Sequence, residues 1–157
     1  MRNRSTLTLL LLLSNPSYSE TESYSFFEDF IDNSYYDDKG LLVTYYGRTY
    51  HLGSRNRNED NNIWGFGYKG FEASTMINSF YDRSYIFSYH KKWEWNSWLD
   101  FGLRVGGITG YDKEDNPIQL FGITPLLSPT MTVHYKGLGF ESSIQTDVLI
   151  FNLNYQF

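Results

Sequence analysis

Residues 97–107 read SWLDFGLRVGG, and apolar residues alternate with polar residues or glycine along this stretch. Because successive side chains of a β-strand point to opposite faces, the alternation places the apolar side chains on one face. These apolar residues are Leu99, Phe101, Leu103 and Val105. The opposite face carries the charged residues and glycines Asp100, Gly102, Arg104 and Gly106. Apolar side chains outside and charges inside are typical of a strand in a lipid-embedded barrel.

The C-terminal residues 148–157 repeat this alternation and end on an aromatic residue. They read VLIFNLNYQF, so one face carries large apolar side chains and the other carries Asn152, Asn154 and Gln156. A last strand that ends on Phe157 resembles the C-terminal assembly signal of outer-membrane barrels. It predicts the outer-membrane assembly machinery as a partner, and an amphipathic strand of a soluble sandwich is the alternative.

The alternation marks several more stretches of the chain. Together the predicted strands are 41–52, 62–71, 72–80, 84–92, 97–110, 118–135, 138–145 and 148–157. No stretch after residue 19 approaches the roughly 18 consecutive apolar residues of a spanning helix, so only a closed barrel can cross a bilayer. The sequence predicts an all-β fold, an eight-stranded antiparallel transmembrane β-barrel of the outer-membrane type. Pro125 and Pro129 predict a local break in pairing within the sixth strand, because proline cannot donate to a ladder.

The N-terminal residues 1–19 have the pattern of a secretory signal peptide. Two arginines precede an apolar run from Leu7 to Leu13, and small polar residues follow up to Ser19. A membrane anchor is the alternative, but the run is far shorter than the roughly 20 residues that a spanning helix needs. We therefore expect export and cleavage after Ser19.

The remaining chain is expected to have a leader and one domain. Residues 20–40 are predicted to be a periplasmic leader that contains a short amphipathic helix at 25–33, where apolar residues recur at near-helical spacing. A disordered leader is the alternative. The transmembrane β-barrel is predicted to comprise residues 41–157.

The composition narrows the classes of function. The chain has no cysteine, which excludes a disulfide framework, a thiolate metal site and a cysteine nucleophile. Its formal net charge is −5, and acidic chains are poor ligands for nucleic acid, because phosphate neutralisation needs clustered Lys and Arg. Its 14 Tyr, 12 Phe and 4 Trp favour a surface that is apolar yet anchored near water, as at membrane interfaces.

Several landmarks of a known family occur in order along the chain. They are His51 at the end of the first strand, Asn58-Glu59, WGFG at 64–67, Asn78-Ser79 after the third strand, the segment 102–110 with the prolines after it, and the terminal NYQF. On these landmarks, the chain from about Tyr45 to Phe157 resembles the lipid A palmitoyltransferases of PagP type. That family includes short uncharacterised and phage-encoded relatives.

The resemblance implies an interior pocket for one acyl chain and a specific reaction. An acyl chain would pass from a phospholipid donor to a lipid A acceptor at the outer leaflet, without a cofactor, and we expect a monomer. The essential His, Asp and Ser of the family fall on His51, Asn78 and Ser79. An Asn therefore replaces the Asp. The fourth strand reads FSYH at 87–90, where the family has a Gly at the pocket floor, so a shallower or filled pocket is expected.

Strand order alone brings the same residues to one rim. If both chain ends are periplasmic, the first strand reaches the outer surface near His51 and the third near Asn78 and Ser79. Acyl transfer needs a base and donors for the oxyanion. His51 has the chemistry of the base, Ser79 that of a nucleophile or an oxyanion donor, and Asn78 donates a hydrogen bond but supplies no negative charge. The acidic residues that are candidates for that charge are Glu59, Asp60 and Asp82.

A second class of function fits the same sequence. A non-catalytic barrel that modifies the cell surface, by binding lipid or masking a receptor, needs this fold but not the chemistry. The interior separates the two hypotheses, because an enzyme needs an empty apolar pocket beside His51. A structural barrel would instead be filled by side chains such as Asp100, Arg104 and His90.

Overall fold

A computed structural model gives the fold of the chain and describes residues 28, 30, 32, 34–53, 56–114 and 118–157. The chain divides into two units, residues 1–32 and residues 33–157. In the first unit Glu28 and Phe30 are helical, and the Asp32 amide donates to the Glu28 carbonyl oxygen at 2.9 Å. The remainder of the expected amphipathic helix and the expected signal peptide lie outside the described residues. No helix in the described part of the chain is long and apolar enough to cross a membrane.

The second unit is a closed antiparallel barrel of eight strands. In chain order the strands are β1 (Leu42–His51), β2 (Trp64–Tyr68), β3 (Phe71–Ile77), β4 (Arg83–Asn96), β5 (Leu99–Ile108), β6 (Thr124–Tyr135), β7 (Leu138–Gln145) and β8 (Val148–Gln156). Each strand pairs with its neighbours in sequence, and β1 pairs with β8 to close the barrel. A short 3-10 helix, Ser34–Tyr36, precedes β1. The predicted fold class and strand number are confirmed.

The start of β6 differs most from the prediction. The sequence pattern extends this strand back to residue 118, but β6 begins at Thr124. Residues 120–123 form a separate tight turn, in which the amides of Leu120 and Ile123 each donate to the other's carbonyl at 2.9 Å. Phe121 and Gly122 have φ values of 53° and 80°, the left-handed conformation that such a two-residue turn requires. Leu120 and Phe121 are adjacent apolar residues followed by a glycine, so the alternation is already interrupted at this turn.

The polarity of the barrel is inverted relative to that of a soluble protein. Among the described residues, 18 polar or charged residues are buried against 6 hydrophobic ones, while 29 large hydrophobic residues are exposed. In β5 the exposed fraction is 42% for Phe101 and 2% for Asp100, as the alternation predicts. Soluble proteins bury mainly apolar side chains. The apolar faces of these strands therefore point outward and the polar faces point into the barrel.

The two ends of the barrel have different connections. At one end, β2 joins β3 through Lys69-Gly70 and β6 joins β7 through Lys136-Gly137, and all four residues have positive φ. This is the type I′ geometry of two-residue hairpins. We call this the turn end, and the start of β1 and the end of β8 also lie there. The connections at the opposite, loop end span residues 52–63, 78–82, 109–123 and 146–147.

One seam of the barrel is only partly paired. β6 pairs with β5 from Thr124 to Val133, but with β7 only from Thr130 to Tyr135. The stretch 124–129, which is paired with β5 but not with β7, lies toward the loop end. It contains Pro125 and Pro129, which have no N–H to donate. Across it, Ser128 Oγ donates to the carbonyl of Ile144 at 2.9 Å. The break that the prolines predict is therefore present.

Candidate functional site

A loop segment holds the loop-end termini of β1 and β3 together. These strands are not neighbours in the sheet, and residues 58–61 continue the line of β2 between them. The Asn61 amide donates to the Gly47 carbonyl at 3.0 Å, and the Ile77 amide donates to the Asn61 carbonyl at 2.8 Å. The Asn58 amide donates to the Ser79 carbonyl at 3.0 Å. The segment thus fixes the distance between the ends of β1 and β3.

Two buried asparagine side chains reinforce this segment. Asn61 Nδ2 donates to the Ile77 carbonyl at 2.9 Å, and Asn58 Nδ2 donates to the Asn78 carbonyl at 3.0 Å. Buried amides are retained when they are hydrogen-bonded, and these replace the ladder bonds that β2 would have made. The only sequence signal for the segment is the polar run NRNEDNN at 56–62, which reads as an ordinary loop.

His51 and Ser79 meet at the loop end. His51 is the last residue of β1, and Ser79 lies just beyond β3. His51 Nε2 is 2.7 Å from Ser79 Oγ, and both residues are half-buried. A ring nitrogen in contact with a hydroxyl is the arrangement of a general base and a nucleophile. The structure therefore brings together two of the three site residues that the sequence indicates.

The other ring nitrogen of His51 has no orienting group. His51 Nδ1 is buried and lacks a hydrogen-bond partner among the described residues. In a Ser-His-Asp triad this N–H is bound by a carboxylate. In the described part of the chain, no hydrogen bond or ion pair joins His51 to Glu59, Asp60 or Asp82, and all three are exposed. The site is a dyad without an acidic member.

Asn78 lies beside Ser79 in sequence but serves a different purpose. Its side chain is fully buried, and Oδ1 accepts the amides of Phe80 at 2.8 Å and Asp82 at 3.0 Å. Its Nδ2 donates to the Gly110 carbonyl and to Ser84 Oγ. An amide suits this position because a carboxylate has no N–H for either acceptor. These contacts tie the β3–β4 loop to the segment after β5 rather than orienting His51.

Tyr111 is a third polar group at the dyad. It lies in the loop after β5, and its side chain lines the same cavity as that of Ser79. Burial raises the pKa of Tyr111, so its hydroxyl is a protonated donor at neutral pH. Its ring packs edge-on against Phe80 with centroids 6.0 Å apart. Sequence reasoning missed Tyr111 because no motif or spacing separates it from the other tyrosines of the chain.

The dyad faces a cavity of about 370 Å³ at the loop end. Its polar wall includes His51, Ser79 and Tyr111, and its apolar wall includes Met76 and Ile150. The volume falls in the range of small-molecule sites, roughly 300–1,000 Å³. The position of the cavity meets the first requirement of an enzyme, an open space beside the base.

An apolar layer lies beneath this cavity. It consists of Ile63, Met76 and Ile108, with Ile150 packed against them. A second void of about 60 Å³ continues below, and Met76 and Ile150 line both spaces. Gly47 makes room for this layer, because a Cβ there would lie 2.3 Å from the side chain of Ile63. Met76 is a flexible partition between the two spaces, since methionine adapts readily to its surroundings.

A cluster of charged side chains fills the barrel below the apolar layer. Arg104 Nε donates to Glu72 at 2.8 Å, and Arg104 Nη1 donates to Glu141 at 2.8 Å. His90 Nδ1 lies 2.9 Å from Glu72, and its Nε2 lies 2.8 Å from Thr130 Oγ1. This charge cluster, defined as Glu72, His90, Arg104 and Glu141, is the floor of the pocket. The interior therefore has both expected features. An open cavity lies beside His51 in the loop-end half, and side chains fill the turn-end half.

Asp100 lies nearer the turn end. It accepts a hydrogen bond from Tyr35, and His134 Nε2 is 3.3 Å from its Oδ2. Among the described residues, no group of three or more His, Cys, Asp and Glu side chains is placed to hold a metal ion.

Comparison with protein-family models and with curated proteins gives no match. The family resemblance of the sequence therefore stays a prediction.

Proposed function

We propose that this barrel lies in a bacterial-type outer membrane and transfers an acyl chain from a phospholipid to lipid A at its loop end. The observation that carries the proposal is the 2.7 Å contact between His51 Nε2 and Ser79 Oγ at the wall of a cavity of about 370 Å³. Acyl transfer needs at least a base in contact with a nucleophilic hydroxyl and a space beside them for the substrate.

The proposed location is supported by the surface of the barrel. Exposed aromatic residues border the turn end, which is typical of the aromatic girdles that sit at a membrane interface. They include Trp93, Trp95, Trp98, Tyr135 and Tyr155. Outer-membrane barrels have short periplasmic turns and longer extracellular loops, and the connections here are divided in the same way. In this orientation the dyad faces the outer leaflet.

The partly paired seam supports access for a membrane lipid. Leu126 and Ser128, from the stretch of β6 that is not paired with β7, line the inner void of about 60 Å³. Gln145 of β7 lines both this void and the loop-end cavity. An acyl chain entering between β6 and β7 passes from the bilayer to the apolar layer without crossing water. Since burial of each CH₂ is worth about 0.8 kcal/mol, this lateral path is favoured over entry from the aqueous rim.

In the proposed first step, Ser79 takes the acyl group. His51 Nε2 accepts the proton of Ser79 Oγ as the oxygen attacks the ester carbonyl carbon of the phospholipid. The hydroxyl of Tyr111 donates to the carbonyl oxygen as negative charge develops on it. The ester bond to glycerol then breaks, and His51 returns its proton to the glycerol oxygen. The products are a lysophospholipid and an acyl ester on Ser79.

In the second step, the acyl group moves to the acceptor. A hydroxyl of lipid A gives its proton to His51 and attacks the acyl ester. The new ester forms on lipid A, and Ser79 Oγ recovers the proton from His51. We expect slow turnover, because loss of the carboxylate function of a serine protease triad lowers kcat by about 10⁴.

The proposal is tested by producing the protein in a Gram-negative host that lacks its own lipid A acyltransferase. Wild type, His51→Ala, Ser79→Ala and a control, Ser142→Ala, are isolated from outer membranes and checked for heat-modifiable migration as a sign of folding. Ser142 is the control because, among the described residues, its hydroxyl donates only to the Met131 carbonyl, at 3.5 Å, and does not line the cavity. We expect wild type and the control to add an acyl chain to lipid A by mass spectrometry, and the two site variants to add none.

A non-catalytic barrel is the second candidate function. It is favoured by the unpaired Nδ1 of His51 and by Asn78, whose contacts leave the dyad without a carboxylate. Under this alternative, folded wild type leaves lipid A unchanged and releases no lysophospholipid from any phospholipid in detergent. That result would reject acyl transfer and leave lipid binding or receptor masking as the function.

A further inference from the structure

Arg57 lies at the same cavity as the dyad. It belongs to the β1–β2 loop and lines the cavity together with His51 and Ser79. Its guanidinium carbon lies 3.9 Å from the ring centroid of Phe80, the residue directly after Ser79. This stacking covers one face of the guanidinium and leaves the N–H groups in its plane available.

Among the described residues, the guanidinium of Arg57 has no anionic partner. Arg57 is half-buried, and within the described part of the chain no carboxylate forms an ion pair with it. Asp147 lines the same cavity but makes no ion pair with Arg57. Apart from His51, Arg57 is the only basic residue among those described at the cavity wall. A partly desolvated cation that the protein leaves unpaired is a ready ligand for an anion.

We propose that Arg57 binds a phosphate group of the lipid substrate, an inference that rests on the proposed acyl transfer for the identity of that substrate. The planar fork of a guanidinium matches the two free oxygens of a phosphate diester or monoester. Both the phospholipid donor and lipid A carry phosphate, so the shared chemistry is a lipid phosphate. Neutral lipids with the same acyl chains would lack this contact.

The stacking also fixes the position of the bound phosphate. Phe80 is covalently joined to Ser79 and packs on Tyr111, so Arg57 is held in a set relation to the nucleophile and the oxyanion donor. In a glycerophospholipid the ester carbonyl is separated from the phosphate by the short glycerol unit. A phosphate anchored on Arg57 therefore limits the ester to positions close to the dyad, which is the orienting effect that speeds acyl transfer.

The test compares Arg57→Gln and Arg57→Lys with wild type and with the matched control Arg48→Gln. Arg48 is exposed on β1 near the same end of the barrel and does not line the cavity. For a phospholipid donor we expect Arg57→Gln to raise KM by roughly tenfold to a hundredfold with little change in kcat. Arg57→Lys should recover part of that loss, and Arg48→Gln should match wild type. With a neutral diacylglycerol donor, all four proteins should have the same KM.

The source of the phosphate is distinguished by the acceptor. If the phosphate belongs to lipid A, Arg57→Gln raises KM for lipid A but not for dephosphorylated lipid A, and the KM of the donor stays constant. Either pattern supports the inference. An Arg57→Gln variant that matches wild type for donor and acceptor overturns it.

A binding measurement separates this inference from the proposed reaction. Full-length protein in detergent micelles is titrated with short-chain phosphatidylcholine and with the matching diacylglycerol, and NMR shifts of residues at the cavity are followed. If wild type binds the phospholipid more tightly and Arg57→Gln removes that preference, Arg57 is a phosphate ligand even if no acyl transfer is found. Equal preference in wild type and Arg57→Gln, both for this pair and for lipid A against dephosphorylated lipid A, would reject the inference whether or not the protein is an enzyme.

Discussion

The loop-end and turn-end halves of the barrel interior differ in whether their charged groups have partners within the protein. At the loop end, His51 Nδ1 and the guanidinium of Arg57 have no hydrogen-bonding or ionic partner in the described part of the chain, and a cavity lies beside them. In the charge cluster of the turn-end half, Arg104 binds both Glu72 and Glu141. The ion pairs of the cluster are therefore internal to the protein, while His51 Nδ1 and Arg57 lie where a ligand can reach them.

The largest effect is expected from Arg104→Leu. This change leaves the buried Glu141 and the partly buried Glu72 without their cation, and breaking a buried ion pair from one side costs about 3–5 kcal/mol. The measurement is the free energy of unfolding by urea titration in lipid vesicles, with Arg48→Leu on the exposed face as the control. A loss below about 1 kcal/mol would mean that the cluster is not the stabilising half.

The same experiment should include Leu103→Arg on the outward-facing side of β5. Alternation alone ranks this change as the more damaging, because a lipid-facing Arg near the midplane costs about 2–4 kcal/mol. Because Arg104 pairs with Glu72 and Glu141, we expect Arg104→Leu to lower the free energy of unfolding more than Leu103→Arg does. A larger loss for Leu103→Arg than for Arg104→Leu would restore the ranking that the sequence indicates.

A smaller effect, limited to the loop end, is expected from Tyr111→Phe. The variant removes the proposed oxyanion donor, and loss of one such donor lowers kcat by about 10²–10³. Stability should change little, because Tyr111 is at the cavity wall rather than in the charge cluster. Single-turnover rates of wild type, Tyr111→Phe and the exposed control Tyr135→Phe test this. An unchanged rate in Tyr111→Phe would remove Tyr111 from the mechanism.

The smallest effect is expected from Asn78→Asp. The carboxylate keeps the two accepted amides but loses the bond donated to Gly110, and an unsatisfied buried acceptor costs about 1–3 kcal/mol. We expect lower stability and no gain in acyl transfer. The matched control is Asn96→Asp, since Asn96 Oδ1 accepts the Trp98 amide at 3.0 Å and an aspartate can do the same.

From the family resemblance alone the opposite result is expected for Asn78→Asp. Restoring the missing carboxylate would then stabilise the protonated form of His51 and raise the rate of acyl transfer. A faster reaction at unchanged stability would show that the aspartate leaves the loop and reaches His51.

The sequence predicts the barrel well because its period of two is a local property. The outward Phe101 and the inward Asp100 follow directly from alternation, and Pro125 and Pro129 mark the seam because they lack N–H groups. The meeting of His51 with Ser79 follows from strand order, since odd-numbered strands end at the same rim. These features need no knowledge of which side chains touch.

The rest of the site depends on loops, and loops follow tertiary contacts. The side chain of Asn78 makes four hydrogen bonds within and beyond its own loop, and nothing in the sequence around it predicts Gly110 as a partner. Tyr111 and Arg57 come from different loops and meet Ser79 and Phe80 only after the barrel closes. Alternation also predicts that Arg104 points inward, but not that it meets Glu141, because that contact depends on the stagger of the strands.

The charge cluster has a consequence for the order of assembly. Its members come from β3, β4, β5 and β7, so a sheet of the first six strands holds Arg104 beside Glu72 but lacks Glu141. In such an intermediate, Arg104 Nε is paired with Glu72 but Arg104 Nη1 has no carboxylate partner. A charged group without a partner is strongly disfavoured once water is excluded. Docking of the last hairpin supplies the second carboxylate and removes the open sheet edges in the same event. Closure is then cooperative, and an open sheet of six strands is a disfavoured intermediate.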